Sequence, residues 1–221
     1  MHLLFTAGHA GGTALVRPEL CDEAIRLARQ LVGLMPGEAT LQGLLGLLLL
    51  ADARRATRTD GEGRLVRLAD QDRSRWDGAA IAEGAALVER ALRRSRLAAG
   101  RFELQAAIAA CHATASSFAE TNWSDVVTLY DALLRVEDTP VVRLNRAVAV
   151  GELAGPRAGL AELDDVPGLD RLHLWHACRA AMLERLGLAV EAATAYRRAL
   201  ECEPSPEEER FLRDRLAGVS G

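Results

Sequence analysis

The sequence predicts an all-α fold made of short helical hairpins stacked into an array. Three observations carry that expectation. Apolar residues make up 49% of the 221-residue chain but aromatic residues only 4%, a balance that suits Ala/Leu helices better than a sheet sandwich. Apolar positions recur at helical spacing, as where Trp175, Cys178, Met182, Leu183 and Leu186 share one face. Equivalent positions also return at a constant interval: Tyr130, Leu163 and Tyr196 lie 33 residues apart, and Ala147 and Ala180 keep the same spacing.

The clearest unit runs from Leu172 to Pro204. Its first helix closes at Gly187, because a residue without Cβ enters the left-handed conformation that helix ends favour. Its second helix places Ala192 and Ala199 around Tyr196 and stops before Pro204. The order of Gly at the turn, Ala, aromatic, Ala and Pro resembles the tetratricopeptide repeat, a helix pair of about 34 residues. That resemblance implies a tetratricopeptide-like repeat array, a right-handed solenoid, because one pair alone cannot bury its apolar face. The repetition is degenerate: Gly159 stands where Ala192 stands, and Arg179 occupies a usually apolar position.

From the start, residues 1–16 begin apolar and become a Gly-rich loop, GHAGGT, which lacks the Lys and the spacing of a phosphate-binding P-loop. Pro18 suits a first helical turn, and Leu20, Ala24, Leu27, Ala28 and Leu31 form a buried stripe ending near Pro36-Gly37. A second helix, Glu38 to Ala56, is apolar nearly all round and therefore needs other helices to cover it. The segment TRTDGEGRLVRLADQDRSRW interrupts this logic near residues 57–73. Asp60-Gly61 is a hairpin signal, and Arg64 to Leu68 alternates as a short strand or extended arm would.

Ser74 and Asp77 form a capping-box pattern that starts the next helix, running to about Arg96. Helices follow over Phe102–Ala115 and Trp123–Val136. Thr139-Pro140 caps a helix over Val141–Leu153, and Gly155-Pro156 separates a weaker one ending near Leu163. After the Leu172–Pro204 pair, Ser205-Pro206-Glu207-Glu208 starts a polar last helix to Leu216, suited to covering the end of an array. The expected organisation is residues 1–76, an N-terminal helix pair with the irregular arm, then residues 77–221, the repeats and their capping helix, in one continuous solenoid.

The formal charge of −4 and pI near 5.8 argue against a nucleic-acid surface on this chain. All 27 basic residues are Arg. A GC-rich genome accounts for that most simply, with Arg-based recognition of carboxylates as the sharper alternative. Cys21, Cys111, Cys178 and Cys202 are widely spaced in apolar patterns and read as buried thiols of a reducing compartment. The apolar run Leu41 to Ala51 is about 11 residues against the roughly 20 a membrane helix needs. With no leader of signal type at the start, the expectation is a soluble, cytoplasmic chain without membrane contact.

Two groups of residues are candidate contacts for a protein partner. Asp70, Gln71, Asp72, Arg73, Arg75 and Trp76 gather carboxylates, guanidiniums and an indole beside a turn, with Trp76 and Arg73 as the anchors because Trp and Arg dominate interface energetics. The competing reading is structural: Ser74 caps a helix, Asp72 pairs with an Arg and Trp76 packs the segment down. Arg143, Asn145 and Arg146 lie on the first helix of a repeat, which lines the inner groove of such arrays. Metal binding is not expected. Asp70 and Asp72 lack the remaining positions of a calcium loop, and His173 with His176 has no further ligand implied beyond Cys178 on the apolar stripe. Cys111-His112 is adjacent, so the two side chains diverge on a helix. No catalytic residue and no cofactor are expected.

Taken together, LADQDRSRW (Leu68 to Trp76), LCDEAIRLARQL (Leu20 to Leu31), LLLLADARR (Leu47 to Arg55), LQAAIAACHA (Leu104 to Ala113) and LNRAVAV (Leu144 to Val150) resemble one family. It is the tetratricopeptide-like C-terminal extension of a subgroup of bacterial extracytoplasmic-function RNA polymerase sigma factors. One departure stands out: Thr6-Ala7-Gly8-His9 replaces the family's Asn-Glu-Gly-Tyr element. The resemblance implies a non-enzymatic regulatory domain whose partners are the sigma core in cis and RNA polymerase. DNA would be touched only through promoter-reading domains that do not fit in these residues. The alternative is a free-standing tetratricopeptide-like protein binding a peptide or small ligand.

Overall fold

A computed structural model describes residues 18–95 and 98–220. Among them the regular structure is helical, with ten α-helices and no strand. They are α1 (Pro18–Leu34), α2 (Ala39–Asp52), α3 (Gly78–Ser95), α4 (Arg101–Thr114), α5 (Trp123–Val136), α6 (Pro140–Ala154), α7 (Pro156–Asp164), α8 (His173–Arg185), α9 (Ala189–Glu201) and α10 (Pro206–Ser220). The GHAGGT loop and the Thr6–His9 departure lie outside the described residues, as does Arg96. Among the described residues no helix is long and apolar enough to cross a membrane.

The chain divides into two compact units, one of residues 1–60 and 66–125, the other of residues 61–65 and 126–221. Within the first unit α3 and α4 both pack on α2. In the first unit α2 is the central element, and its apolar circumference is covered on several sides. Cys21, Ala24, Ile25 and Ala28 of α1 pack against Leu44, Leu45, Leu48 and Leu49 of α2, with Leu87 of α3 in the same cluster. Close approach is bought with glycine: a Cβ on Gly43 would lie 2.9 Å from the backbone N of Glu103, and one on Gly84 would lie 2.8 Å from Leu50 Cγ. Thr40 and Gly43 of α2 thus meet Glu103 at the start of α4, and Thr40 Oγ1 donates to the buried Glu103 carboxylate at 3.2 Å.

In the second unit the hairpins cross through small residues. Ala180 of α8 packs with Ala192, Ala195, Tyr196 and Ala199 of α9, and Leu212 of α10 closes that cluster. Leu144, Ala147, Leu163, Leu169 and Met182 form a neighbouring one. The periodic positions are interior: Leu163, Tyr196, Ala147 and Ala180 are buried, while Tyr130 is half-buried. Gly159 is where α6 and α7 approach most tightly, so its departure from the Ala192 pattern is a packing requirement. Arg179 is exposed enough to pair with Asp164 and lies 5.7 Å over the Trp175 ring.

The chain ends of these helices follow local chemistry. Gly187 has φ +76, and the Gly187 and Leu188 N–H groups donate to Glu184 O and Leu183 O at 2.9 and 3.0 Å, the two bonds of a Schellman motif. Thr139 Oγ1 accepts from Val142 N ahead of Pro140. Ser205 N donates to Glu208 Oε2 and Glu208 N to Ser205 Oγ, a reciprocal capping box. The last helix continues beyond Leu216 to Ser220.

Two local expectations are corrected. Ser74 does not cap α3. It sits in a 3₁₀ turn (Arg73–Arg75) that Asp72 caps, and the α3 cap is Asp77, whose Oδ1 accepts from Ala79 N and Ala80 N at 3.0 Å each. The short strand or extended arm expected at Arg64–Leu68 forms no strand: after a turn at Gly61-Glu62 it makes a single rung, Val66 N–H donating to Arg58 O at 2.9 Å, and Arg67 is extended ahead of a 3₁₀ turn at Leu68–Asp70. A strand would need a neighbouring strand for its backbone groups; here the Gln71 side chain takes Val66 O instead.

Candidate functional site

Residues 54–77 form a closed excursion between α2 and α3. Its neck is a backbone bond, Asp77 N–H to Ala53 O at 2.8 Å. Inside, Trp76 is only 8% exposed and its Nε1–H donates to Thr57 Oγ1 at 2.9 Å. Thr57 in turn donates to Arg54 O at 3.0 Å, and Gln71 Nε2 donates to Val66 O at 3.1 Å. The segment therefore holds a small polar core of its own, lidded by the indole. That is why an irregular sequence keeps one conformation without helix or sheet.

The six candidates of this segment divide into two sets. Gln71, Arg73 and Trp76 turn inward; Asp70, Asp72 and Arg75 are exposed. Asp70 pairs with Arg67 at 2.6 Å, not with its neighbours in the motif. Asp72 accepts from both the hydroxyl and the N–H of Ser74, which hold its carboxyl below the usual range. Arg73 lies 4.5 Å over the Trp76 ring, and its Nη1 donates to His112 O at 2.6 Å and Ala115 O at 2.7 Å. It thereby satisfies carbonyls at the end of α4 that have no helical partner.

In the second unit, Arg143 and Asn145 are exposed, with Arg143 held on Asp138 at 2.7 Å. Arg146 reaches Asp131 of α5 at 2.6 Å and also pairs with Glu162 of α7, so it ties three helices together. Trp175, Leu183, Val190 and Ala195 wall a groove of about 400 Å³ between α8 and α9, rimmed by Arg179 and Arg198. Val190 in this groove is 78% exposed. His173 Nε2 lies 3.2 Å from Glu208 Oε1 and His176 Nε2 lies 2.9 Å from Asp170 O, so the two histidines point to different neighbours. Among the described residues no group of three or more His, Cys, Asp or Glu is arranged to hold a metal.

The four cysteines form no disulfide. Only Cys21 is fully buried. Burial pushes the Cys178 thiol up to about 11 and also raises Cys111, so neither is poised as a thiolate.

What sequence reasoning missed is a gathering of arginines within the excursion. Arg54, with Arg58 and Arg73 near it, is lowered to about 10, first by burial and then by those two guanidiniums. Burial, with Arg54 and Arg73, lowers the His112 imidazole to about 4. His112 also packs edge-on to Trp123 with ring centroids 5.2 Å apart. The available signal was the Arg54-Arg55 pair directly after an apolar helix. Nothing in the sequence distinguishes Arg55, which pairs with Asp22 and Asp52, from Arg54.

Residues 1–92 match the model of DUF6596, a family of unknown function. The DUF6596 match takes in α1, α2, the excursion and most of α3, hence Arg54, Arg58, Arg73 and Trp76, but ends before His112. An uncharacterized protein of Rhizobium meliloti (strain 1021) is 41% identical over 219 residues, which is 98% of this chain and 51% of that protein. The chain spans about half the length of the curated relative it matches.

Proposed function

We propose that this chain is a non-enzymatic regulatory interaction domain, built of tetratricopeptide-like hairpins, that acts on a sigma factor of the extracytoplasmic-function type. The single observation that carries the interaction reading is the groove between α8 and α9, where the exposed Val190 and the half-buried Trp175 share the lining with Arg179 and Arg198. Exposed apolar walls with a charged rim suit a docked peptide segment. The 33-residue return of Leu163 and Tyr196 to interior positions supports stacked hairpins within the second unit.

The sigma factor enters through the resemblance of LADQDRSRW and the accompanying blocks, and the relative, about twice as long, has room for further domains. On this reading the sigma core docks in cis, and the exposed Asp70, Asp72 and Arg75 form a second contact, with RNA polymerase reached through the assembled complex. The decisive experiment is capture of a separately expressed sigma core by this chain, with Val190→Asp as the control that spoils the groove. Failure of capture, together with unchanged transcription from a sigma factor lacking the extension, would refute the proposal. A peptide-binding protein without a sigma core is the second reading, favoured if the groove takes short peptides while the core is ignored.

A further inference from the structure

The groove between α8 and α9 continues past its apolar stretch. The Gly187 turn folds the two helices back on each other. A second cavity of about 530 Å³ opens where α9 ends, with Asp170, Arg171, Glu201 and Glu203 in its lining. His176 and Arg198 line both cavities, so the two adjoin along one furrow. Val190 and Arg198 lie about 12 Å apart along the α9 axis, and Glu201 follows within one further turn.

Side-chain character changes in order along that length. Leu183, Val190 and the half-buried Trp175 give the first stretch an apolar lining. Glu191 shares that stretch and turns a ligand carboxylate away from it. Arg179 of α8 and Arg198 of α9 line the middle from opposite walls. Beyond them the carboxylates of Asp170, Glu201 and Glu203 accompany Arg171. Each middle arginine has a partner on the protein: Arg198 donates to Glu201 at 2.8 Å, and Arg179 pairs with Asp164. Both partner carboxylates are exposed, and ion pairs of that kind contribute no more than about 1 kcal/mol. A ligand carboxylate between the two guanidiniums therefore replaces them at little cost, and it releases Glu201 for a ligand cation.

We propose that this furrow takes an extended peptide segment carrying, in order, an apolar side chain, a carboxylate and a cation. Extended chain covers about 12 Å in three or four residues, which sets the spacing between the apolar and the acidic side chain. The ligand's charges then oppose those of the furrow stretch by stretch, and such complementarity supplies specificity more than raw affinity. This ligand chemistry rests on the groove being the interaction surface proposed above, but not on the partner being a sigma core.

The test titrates the isotope-labelled full chain with acetyl-Leu-Ser-Ser-Asp-Ser-Lys-amide, made in both chain directions, and follows its amide and indole NMR shifts. Saturable shifts at Val190, Thr194 and Arg198 are expected with at least one direction. Asparagine in place of the aspartate should weaken binding about tenfold, and so should exchange of the aspartate with the lysine. Arg198→Gln, at an exposed position, should weaken the parent peptide about tenfold and leave the asparagine peptide unchanged, a coupling that loss of structure would not produce. Absence of saturable shifts, or equal binding of the parent, asparagine and exchanged peptides, would overturn the proposal. So would a dimer in sedimentation that Val190→Asp dissociates, because a second copy would then be the occupant. If the peptides follow the expected order but the sigma core is not captured, only the sigma reading fails. If the core is captured and the peptides are not discriminated, only the ligand order fails.

Discussion

Gly151 of α6 and Gly159 of α7 meet where their helices cross, so closely that a Cβ built on Gly159 would lie 2.7 Å from the Gly151 Cα and 2.8 Å from Met182 Cε. A methionine tip can move aside, but the facing backbone cannot without separating the helices. Gly159→Ala should therefore destabilise the protein by about 1–3 kcal/mol, although alanine is the better helix former by up to about 1 kcal/mol. Gly218→Ala, on the exposed face of α10 with nothing within 4 Å, should be neutral or stabilising. Urea midpoints of the two variants make the comparison, and equal midpoints would show that the crossing tolerates a methyl group.

Trp76 should behave as a structural lid. Trp76→Phe keeps an aromatic ring over Thr57 but removes the Nε1–H donor and narrows the platform under Arg73, so a loss of about 1–2 kcal/mol is expected. Asp70→Ala and Arg75→Ala at the exposed rim should change stability by no more than about 0.5 kcal/mol. Denaturant unfolding of all three checks this. On the proposed function, only the rim variants should weaken capture of the sigma core while leaving the fold unchanged.

His112 gives stability a pH dependence of definite sign. Its folded value, about 4, lies below the ordinary imidazole value of 6.5, so between those limits the unfolded chain binds the extra proton. Its contribution is complete above pH 6.5 and is lost as pH falls toward 4, by at most roughly 3 kcal/mol. Urea unfolding from pH 7 to 4.5 should show this decline, and His112→Gln should flatten it. An imidazole titrating near 6.5 by NMR in the folded protein would contradict the assignment.

The last helix is tied down by charge as well as by Leu212. Arg215 donates to both carboxylate oxygens of Glu184, and Tyr196 Oη donates to Glu184 Oε2 at 2.9 Å. The pair is partly exposed, which limits its worth, so Glu184→Ala should cost about 1–2 kcal/mol. The loss should appear first as faster amide exchange in α10. Unchanged exchange there would mean that apolar packing alone holds the helix.

Elements with a local cause were legible in the sequence. Gly187, Thr139-Pro140 and Ser205 with Glu208 mark helix ends through bonds that span only a few residues. The apolar stripes of α1 and α9 follow from helical spacing. Ser74 was misread because two overlapping cap signals, Asp72 and Asp77, compete within one turn, and only the position of the neck bond to Ala53 decides between them.

By itself, then, the sequence determined the helical class, the order of the helices and most of their ends, because those depend on neighbours three or four positions away. Only the tertiary structure decided which arginines are matched and which are not, since Arg54 and Arg55 are chemically alike and differ in what distant segments bring to them. It also decided that Trp76 faces inward and that Gly159 marks a crossing of two helices. Burial and long-range charge are properties of packed surfaces, and no local pattern encodes them.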